Sequence, residues 1–373
     1  MKYGKLCCIC LLCMCLCGCD LFAGNAYISI EDHQLPSTPG LEQSFSAASY
    51  TQLRRVLEDM IENGVTQRTI SVTGYDKEKL TKDMEAIAED ICSTHPIAAY
   101  AVEDISCRMG SSGGTDALSV EIVYLHDKSE IRKIITVQDT AAAQPAIAAV
   151  LNNCDTGIVL HILSYENIDF EQIVEDYALN YPQYVMETPQ VSVNLYPKSG
   201  TSRVVEIKFT YQTSREILKN MQSQVAPVFA SAALYVSGDA EEHEKYSQLY
   251  SFLMERYDYA QGTSITPTYS LLRHGVGDAR SFAVVYAAMC RQAGLECLVV
   301  SGTLDGENCY WNIVKDNGIY YHVDLLRCTK EGSFVELGDD EMEGYVWAAG
   351  YYPACGTTDE ASAPDPEQNA ENS

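Results

Sequence analysis

Basic residues are scarce: Lys and Arg number 25 against 52 Asp and Glu, a formal charge of −27 over 373 residues. Such a chain repels the phosphate backbone that supplies most nucleic-acid affinity, so nucleic acid is not an expected partner. Beyond the first twenty residues no run reaches the length and apolarity of a membrane-spanning helix. Nucleotide fingerprints are missing too. Gly110-Ser-Ser-Gly-Gly114 lacks the Lys-Ser/Thr of a phosphate-binding loop, and Gly275-Val-Gly277 is only a loop before a helix. No Cys-x-x-Cys spacing follows residue 20, so neither a metal nor a cofactor is expected. The chain is otherwise well supplied for folding. It is 46% hydrophobic and 21% charged, enough for two or three domains with real cores.

Seven of the fifteen cysteines (Cys7, Cys8, Cys10, Cys13, Cys15, Cys17 and Cys19) lie at the start of the chain. Lys2 and Lys5 form a positive n-region, and the uncharged Leu6 to Cys19 is too short to span a bilayer but suits a secretory h-region. Its end, Leu16-Cys17-Gly18-Cys19, resembles the lipobox of bacterial lipoproteins. That resemblance implies a signal peptide over 1–18 and a lipidated Cys19, exported and anchored at the outer face of the bacterial cytoplasmic membrane or the cell surface. The alternative is an ordinary signal peptide cleaved at a small-x-small site within Ala23 to Ala26, with Cys19 a bystander. Most of the eight later cysteines fall on apolar faces, so buried free thiols are expected, although an exported chain can form disulfides.

Residues 19–46, with Pro36, Pro39 and Gly40, read as a tether. Two small α/β modules are expected over 47–136 and 137–213. Leu80, Met84, Ile87 and Ile91 recur at helical spacing in the first, followed by strands Tyr100 to Arg108 and Leu118 to Leu125 around the glycine-rich loop. Residue matches suggest a duplication. Glu85-x-Ile87-x-Glu89-Asp90 and His95-Pro96 reappear as Glu171-x-Ile173-x-Glu175-Asp176 and Tyr181-Pro182, and Val120-Glu121-Ile122 as Val205-Glu206-Ile207. The pair would be a binding surface, a spacer, or a packing unit without a ligand; the last is favoured. Helices from Ser214 open a third domain, 214–355. An acidic, Pro- and Ser-rich tail over 356–373 is expected to be disordered.

The third domain carries the chemistry. Asp278 is a good N-cap residue, and Ala279, Ala283, Tyr286, Ala287 and Cys290 recur at helical spacing up to Gly294, so Ala279 opens a buried helix. Asn317-Gly318 predicts a tight hairpin in which Trp311 faces Asp324, placing Cys309, Trp311, His322 and Asp324 on one face. Cys309 and Asp324 are then diagonal neighbours about 7 Å apart at the backbone.

The order of these motifs, Tyr257-Asp258, then Tyr269 through Ala283, Cys290 through Gly302, Trp311-Asn312 and Tyr320-Tyr-His-Val-Asp324, resembles the transglutaminase-like superfamily. The resemblance implies an α+β, papain-like domain. It would carry a nucleophilic Cys at the start of the core helix, a His just before the x-Trp-Asn motif and an Asp ending the next strand. Those positions hold Ala279, Cys309 and Asp324, so two of the three depart from the pattern. A methyl group cannot attack an acyl carbon, and losing the nucleophile of such a unit costs about 10^6 in rate. A catalytically silent domain is therefore expected, with Tyr269, His274, Tyr310, Trp311 and His322 lining a cleft for a peptide, protein or cell-wall ligand. The alternative is an active cysteine peptidase or acyl transferase using Cys309, with His274 or His322 as base and Asp324 orienting it. A purely structural role is the third reading.

Overall fold

A computed structural model describes residues 45–112, 114–262 and 264–356. The expected signal peptide, Cys19, nearly all of the tether and the acidic tail beyond Gly356 lie outside the described residues.

Helix α1 (Tyr50–Glu62) starts where the Ser49 side chain accepts from the Gln52 amide, and buries Leu53, Leu57, Met60 and Ile61. Strand β1 (Gln67–Ser71) leads into α2 (Lys77–Thr94), capped by Asp76 and burying Leu80, Met84, Ile87 and Ile91. A short helix α3 (Pro96–Ala101) follows, with Pro96 in its first turn, before β2 (Val102–Ser112) and β3 (Thr115–Tyr124). Tyr100 is thus helical rather than in a strand, because the His95 ring accepts from the Ala98 amide and starts a new turn. The hairpin also runs further into the Gly/Ser segment than expected, since the facing strand supplies hydrogen bonds through the pair Ser112 and Thr115. The sheet order is β1-β3-β2.

The second segment begins with α4 (Lys128–Ile131) and β4 (Ile135–Asp139), then α5 (Gln144–Asn153), β5 (Gly157–Ser164), α6 (Phe170–Asn180), β6 (Gln190–Tyr196) and β7 (Arg203–Thr210). Its sheet order is β4-β5-β7-β6. Strand β4 pairs with β5, so it belongs wholly to this sheet although the boundary drawn at 136/137 cuts it. The order α1, β1, α2, hairpin of the first segment recurs in the second as α5, β5, α6, hairpin, and β5, like β1, pairs antiparallel with the second hairpin strand; α4, β4 and the parallel β4-β5 pairing have no counterpart in the first.

The C-terminal part opens with α7 (Arg215–Tyr235) and α8 (Glu242–Met254), followed by the short β8 (Asp258–Tyr259), α9 (Pro267–Tyr269) and β9 (Val276–Gly277). Helix α10 (Ala279–Gln292) then packs on β10 (Cys297–Leu304) and β11 (Glu307–Asp316), and β12 (Ile319–Val323), α11 (Leu325–Glu331) and β13 (Tyr345–Trp347) complete the domain. The sheet order is β12-β11-β10-β13, with the expected register: Asn312 faces Val323 and Asp316 faces Ile319 across a turn in which Asn317 and Gly318 both take positive φ. Alternation sorts the sheet. Val314 and Val323 join the core around α10, whereas Trp311 and Ile313 join a second core with Val300, Leu337, Met342 and Tyr345. Cys154 and Met186 of the second segment are buried in the α10 core, so the two parts share it. Among the described residues no helix is long and apolar enough to cross a membrane.

Gly302 on β10 exists to make room for Trp311. A Cβ there would stand 2.6 Å from the indole and 2.4 Å from the Val346 carbonyl oxygen. Gly302→Ala is expected to cost about 1–3 kcal/mol through overpacking. Urea unfolding read by tryptophan fluorescence checks this; an unchanged midpoint would contradict the packing.

Candidate functional site

The site is built on the start of α10. The Asp278 carboxylate accepts from the Ser281 amide (2.9 Å) and hydroxyl (2.7 Å), which caps the helix and sets Ala279 as its first residue. Here a papain-like enzyme would use helix orientation to favour a thiolate, and this chain presents a methyl group. The next side chain, Arg280, is held from the second segment: its guanidinium donates to Glu175 Oε1 of α6 at 2.6 Å and lies over the Tyr310 ring at 5.7 Å. A helix of the α/β segment is therefore fastened beside the place where a nucleophile would work.

Cys309 is half-buried on β11, opposite Gly302. Burial pushes its thiol up to about 11, and the nearby Asp324 carboxylate raises it further within that shift. No activation of the thiol is present. Asp324 is 5% exposed and its oxygens are committed. Oδ1 accepts from the Leu326 and Arg327 amides (2.9 and 3.2 Å), capping α11, and Oδ2 accepts from the Tyr345 hydroxyl at 2.7 Å. The Tyr259 hydroxyl is raised by burial and then by the fields of Cys309, Asp278 and Asp324. Tyr259 thus lies within electrostatic reach of Asp278, Cys309 and Asp324.

The histidines do not complete the arrangement. His322 has no exposure. The Trp311 indole N–H, which can only donate, gives its hydrogen bond to His322 Nδ1 at 2.9 Å, so the imidazole proton sits on Nε2 and is donated to Asp339 Oδ1 at 2.9 Å. Burial lowers the His322 pKa and holds the ring neutral. Both nitrogens are engaged, and neither can take a proton from Cys309. Trp311 is 1% exposed, so neither it nor His322 lines an open cleft; the two are core partners, with Trp347 edge-on to both rings. His274 is exposed and rests edge-on against Tyr269, whose hydroxyl donates to Gln224. Tyr310 is half-buried against the α10 core beneath Arg280. Sequence reasoning missed Tyr345, Asp339 and Glu175, which act from outside the motif. Only their contacts with Asp324, His322 and Arg280 in three dimensions identify them.

Beside Asp324 a shallow cavity of about 480 Å³ is lined by Arg327, Lys330, Glu341 and Tyr345. Both charges are represented, and the only motif residue in its wall is the carboxylate that already has three donors.

With this geometry in hand, comparison with known proteins is informative. Residues 230–356 match the family model of the transglutaminase-like superfamily, so the chain carries a transglutaminase-like domain there. No curated protein matches the chain. Among solved structures, it is similar to a candidate cysteine protease from Cytophaga hutchinsonii, at 15% identity over 42% of this chain and 70% of that one, with a TM-score of 0.26. It is similar also to a TGase, at 10% identity over 58% and 63%, with a TM-score of 0.26. A third is a candidate protease from Parabacteroides distasonis, at 10% identity over 69% of this chain and 39% of that one, with a TM-score of 0.23.

Two outcomes follow from the site's chemistry. At pH 8 a thiol with a pKa of about 11 is about two hundredfold poorer in thiolate than an ordinary cysteine of pKa about 8.5. Iodoacetamide labelling of Cys309, followed site by site with mass spectrometry, is expected to be correspondingly slow and to keep rising about tenfold per pH unit toward pH 11 rather than levelling off near pH 8.5. Rapid labelling near neutrality would contradict this. For His322, whose folded pKa lies below its unfolded value, the unfolded chain takes up the proton first. Stability is therefore complete above about pH 6.5 and falls as the pH drops below it. His322→Leu leaves the buried Trp311 N–H without an acceptor and should cost about 1–3 kcal/mol at pH 7. The variant should also lose part of the acid limb between pH 7 and 5, which urea titrations across that range would measure; an unaltered limb would mean His322 titrates freely.

Proposed function

We propose that the chain is an exported, lipid-anchored protein whose transglutaminase-like domain no longer catalyses, and binds or scaffolds a peptide, protein or cell-wall ligand at the cell surface. The observation that carries this reading is Ala279 at the start of α10, where a nucleophile would stand. The substituted base position agrees with it: the Cys309 thiol is raised rather than activated. So does Asp324, whose oxygens serve helix α11 and Tyr345. Export and lipidation rest on the Cys19 motif alone. The order helix, strand, helix, hairpin shared by α1 to β3 and α5 to β7 supports a duplication, in keeping with the residue matches. A binding role is favoured by a groove of about 910 Å³ where the second segment meets α7 and α10, with the half-exposed Tyr181 and Tyr184 in its wall.

Restoring the family residues tests the alignment behind this reading. The triple variant Ala279→Cys, Cys309→His, Tyr345→Phe supplies a thiol at the helix start, an imidazole at the base position and a carboxylate oxygen released from Tyr345. Its new thiol is expected to label at pH 7 at least about tenfold faster than native Cys309, because a helix N-terminus and an adjacent imidazole depress a thiol pKa. A new thiol as sluggish as the native one, in a variant that still unfolds cooperatively, would show that these positions do not form one site.

A further inference from the structure

We propose that His243, Asp316 and Glu336 form a binding site for a divalent cation of the manganese or zinc type, built from none of the residues at the silent catalytic position. Three segments distant in sequence meet there: the first turn of α8, the last residue of β11 and the stretch after α11. One ligand atom from each, the imidazole Nδ1 and two carboxylate oxygens, lies within 4.8 Å of the others. An ion bound at about 2.0–2.2 Å from each donor fits between atoms so spaced with little movement.

The cluster is not a loose group of surface acids. The Asp316 and Glu336 side chains are only 11% and 13% exposed. The turn bearing Asp316 is pinned, since the Asn317 amide donates to Glu242 Oε2 at 2.8 Å and the Asn317 side chain donates to Asp316 Oδ1 at 3.0 Å. The His243 ring stands edge-on to Phe334 at 5.5 Å, which limits its rotation.

What points to a ligand is an unanswered oxygen. Glu336 Oε2 faces His243 Nδ1 at 2.9 Å, but Oε1 is buried with no hydrogen-bond partner. Leaving such an acceptor unmatched costs about 1–3 kcal/mol, more when it is charged, and native structures seldom tolerate it without an ion or water. Asp316 Oδ2 lies 3.8 Å from the same imidazole nitrogen, and among the described residues neither carboxylate has a Lys or Arg partner. Two acids therefore share one histidine. A divalent cation would neutralise both and give Oε1 its partner. His243 is 53% exposed on its side chain, so its Nε2 can carry the proton toward water while Nδ1 turns its lone pair to the ion. Water would complete the coordination from the open side. One nitrogen with carboxylate oxygens suits manganese or zinc better than calcium, which takes oxygen alone.

A second trio of possible ligands, His322, Asp339 and Cys355, fails on the same chemistry. The Trp311 N–H on Nδ1 obliges His322 Nε2 to carry the proton, so the nitrogen facing Asp339 has no lone pair to offer.

The test is a titration of the EDTA-stripped full chain with Mn2+, reading the loss of the free-ion EPR signal; Mn2+ is chosen because the many thiols compete poorly for it. The expected result is one saturable site, weakened at least about tenfold by His243→Ala and by Glu336→Gln and unchanged by Glu343→Gln, an exposed acid elsewhere on the domain. Absence of a saturable site, or a site indifferent to His243→Ala and Glu336→Gln, would overturn the proposal. Equal weakening by Glu343→Gln would also overturn it, marking diffuse attraction to an acidic chain.

Discussion

The hydrogen bonds of the Asp324 carboxylate organise the C-terminal domain. A buried carboxylate is tolerable only when each oxygen is answered, and here two backbone amides and a tyrosine hydroxyl answer both. Through them Asp324 starts α11 and ties β12 to Tyr345 at the beginning of β13. The same group, in a papain-like arrangement, would hold an imidazole in its working tautomer. In this structure three donors occupy both oxygens and no imidazole is among them. The carboxylate that would orient a base serves this corner of the fold instead.

The neighbouring polar groups have been settled in the same manner. His322, the only histidine beside the motif's tryptophan, is absorbed into a buried chain from Trp311 through the imidazole to Asp339. Gly302 keeps the space that the indole fills. On the opposite side of the sheet, Arg280 is drawn to Glu175 of the second segment, and Cys154 and Met186 enter the same core as α10. The α/β segment is consequently part of the wall around the helix start.

Much of this was legible in the residues. The Asn317-Gly318 turn determines the hairpin register, and that register alone places Cys309, Trp311, His322 and Asp324 on a common face. Asp278 announces the start of α10, and the run of small and apolar residues behind it predicts burial. Periodicity could not tell which face of the sheet the helix would cover. Trp311 and His322 were read as groove residues, but they turn toward Val300, Leu337 and Tyr345, while Asn312 and Val314 meet the helix. Tyr345 and Asp339 carry no signal in the sequence because the strand and the turn that hold them are three residues long, too short for a repeat to mark them. The strand expected from Tyr100 begins at Val102 instead, because Pro96 starts a helical turn that runs to Ala101.

The central proposal is that this domain no longer catalyses, for reasons of geometry as well as of a missing nucleophile. It is tested most directly by incubating the full chain and its Cys309→Ser variant with peptide amides, esters and a primary amine acceptor, and following hydrolysis and acyl transfer by mass spectrometry. The account predicts no turnover above the uncatalysed rate in either protein. Turnover in the native chain that disappears with Cys309→Ser would contradict it and make Cys309 a nucleophile.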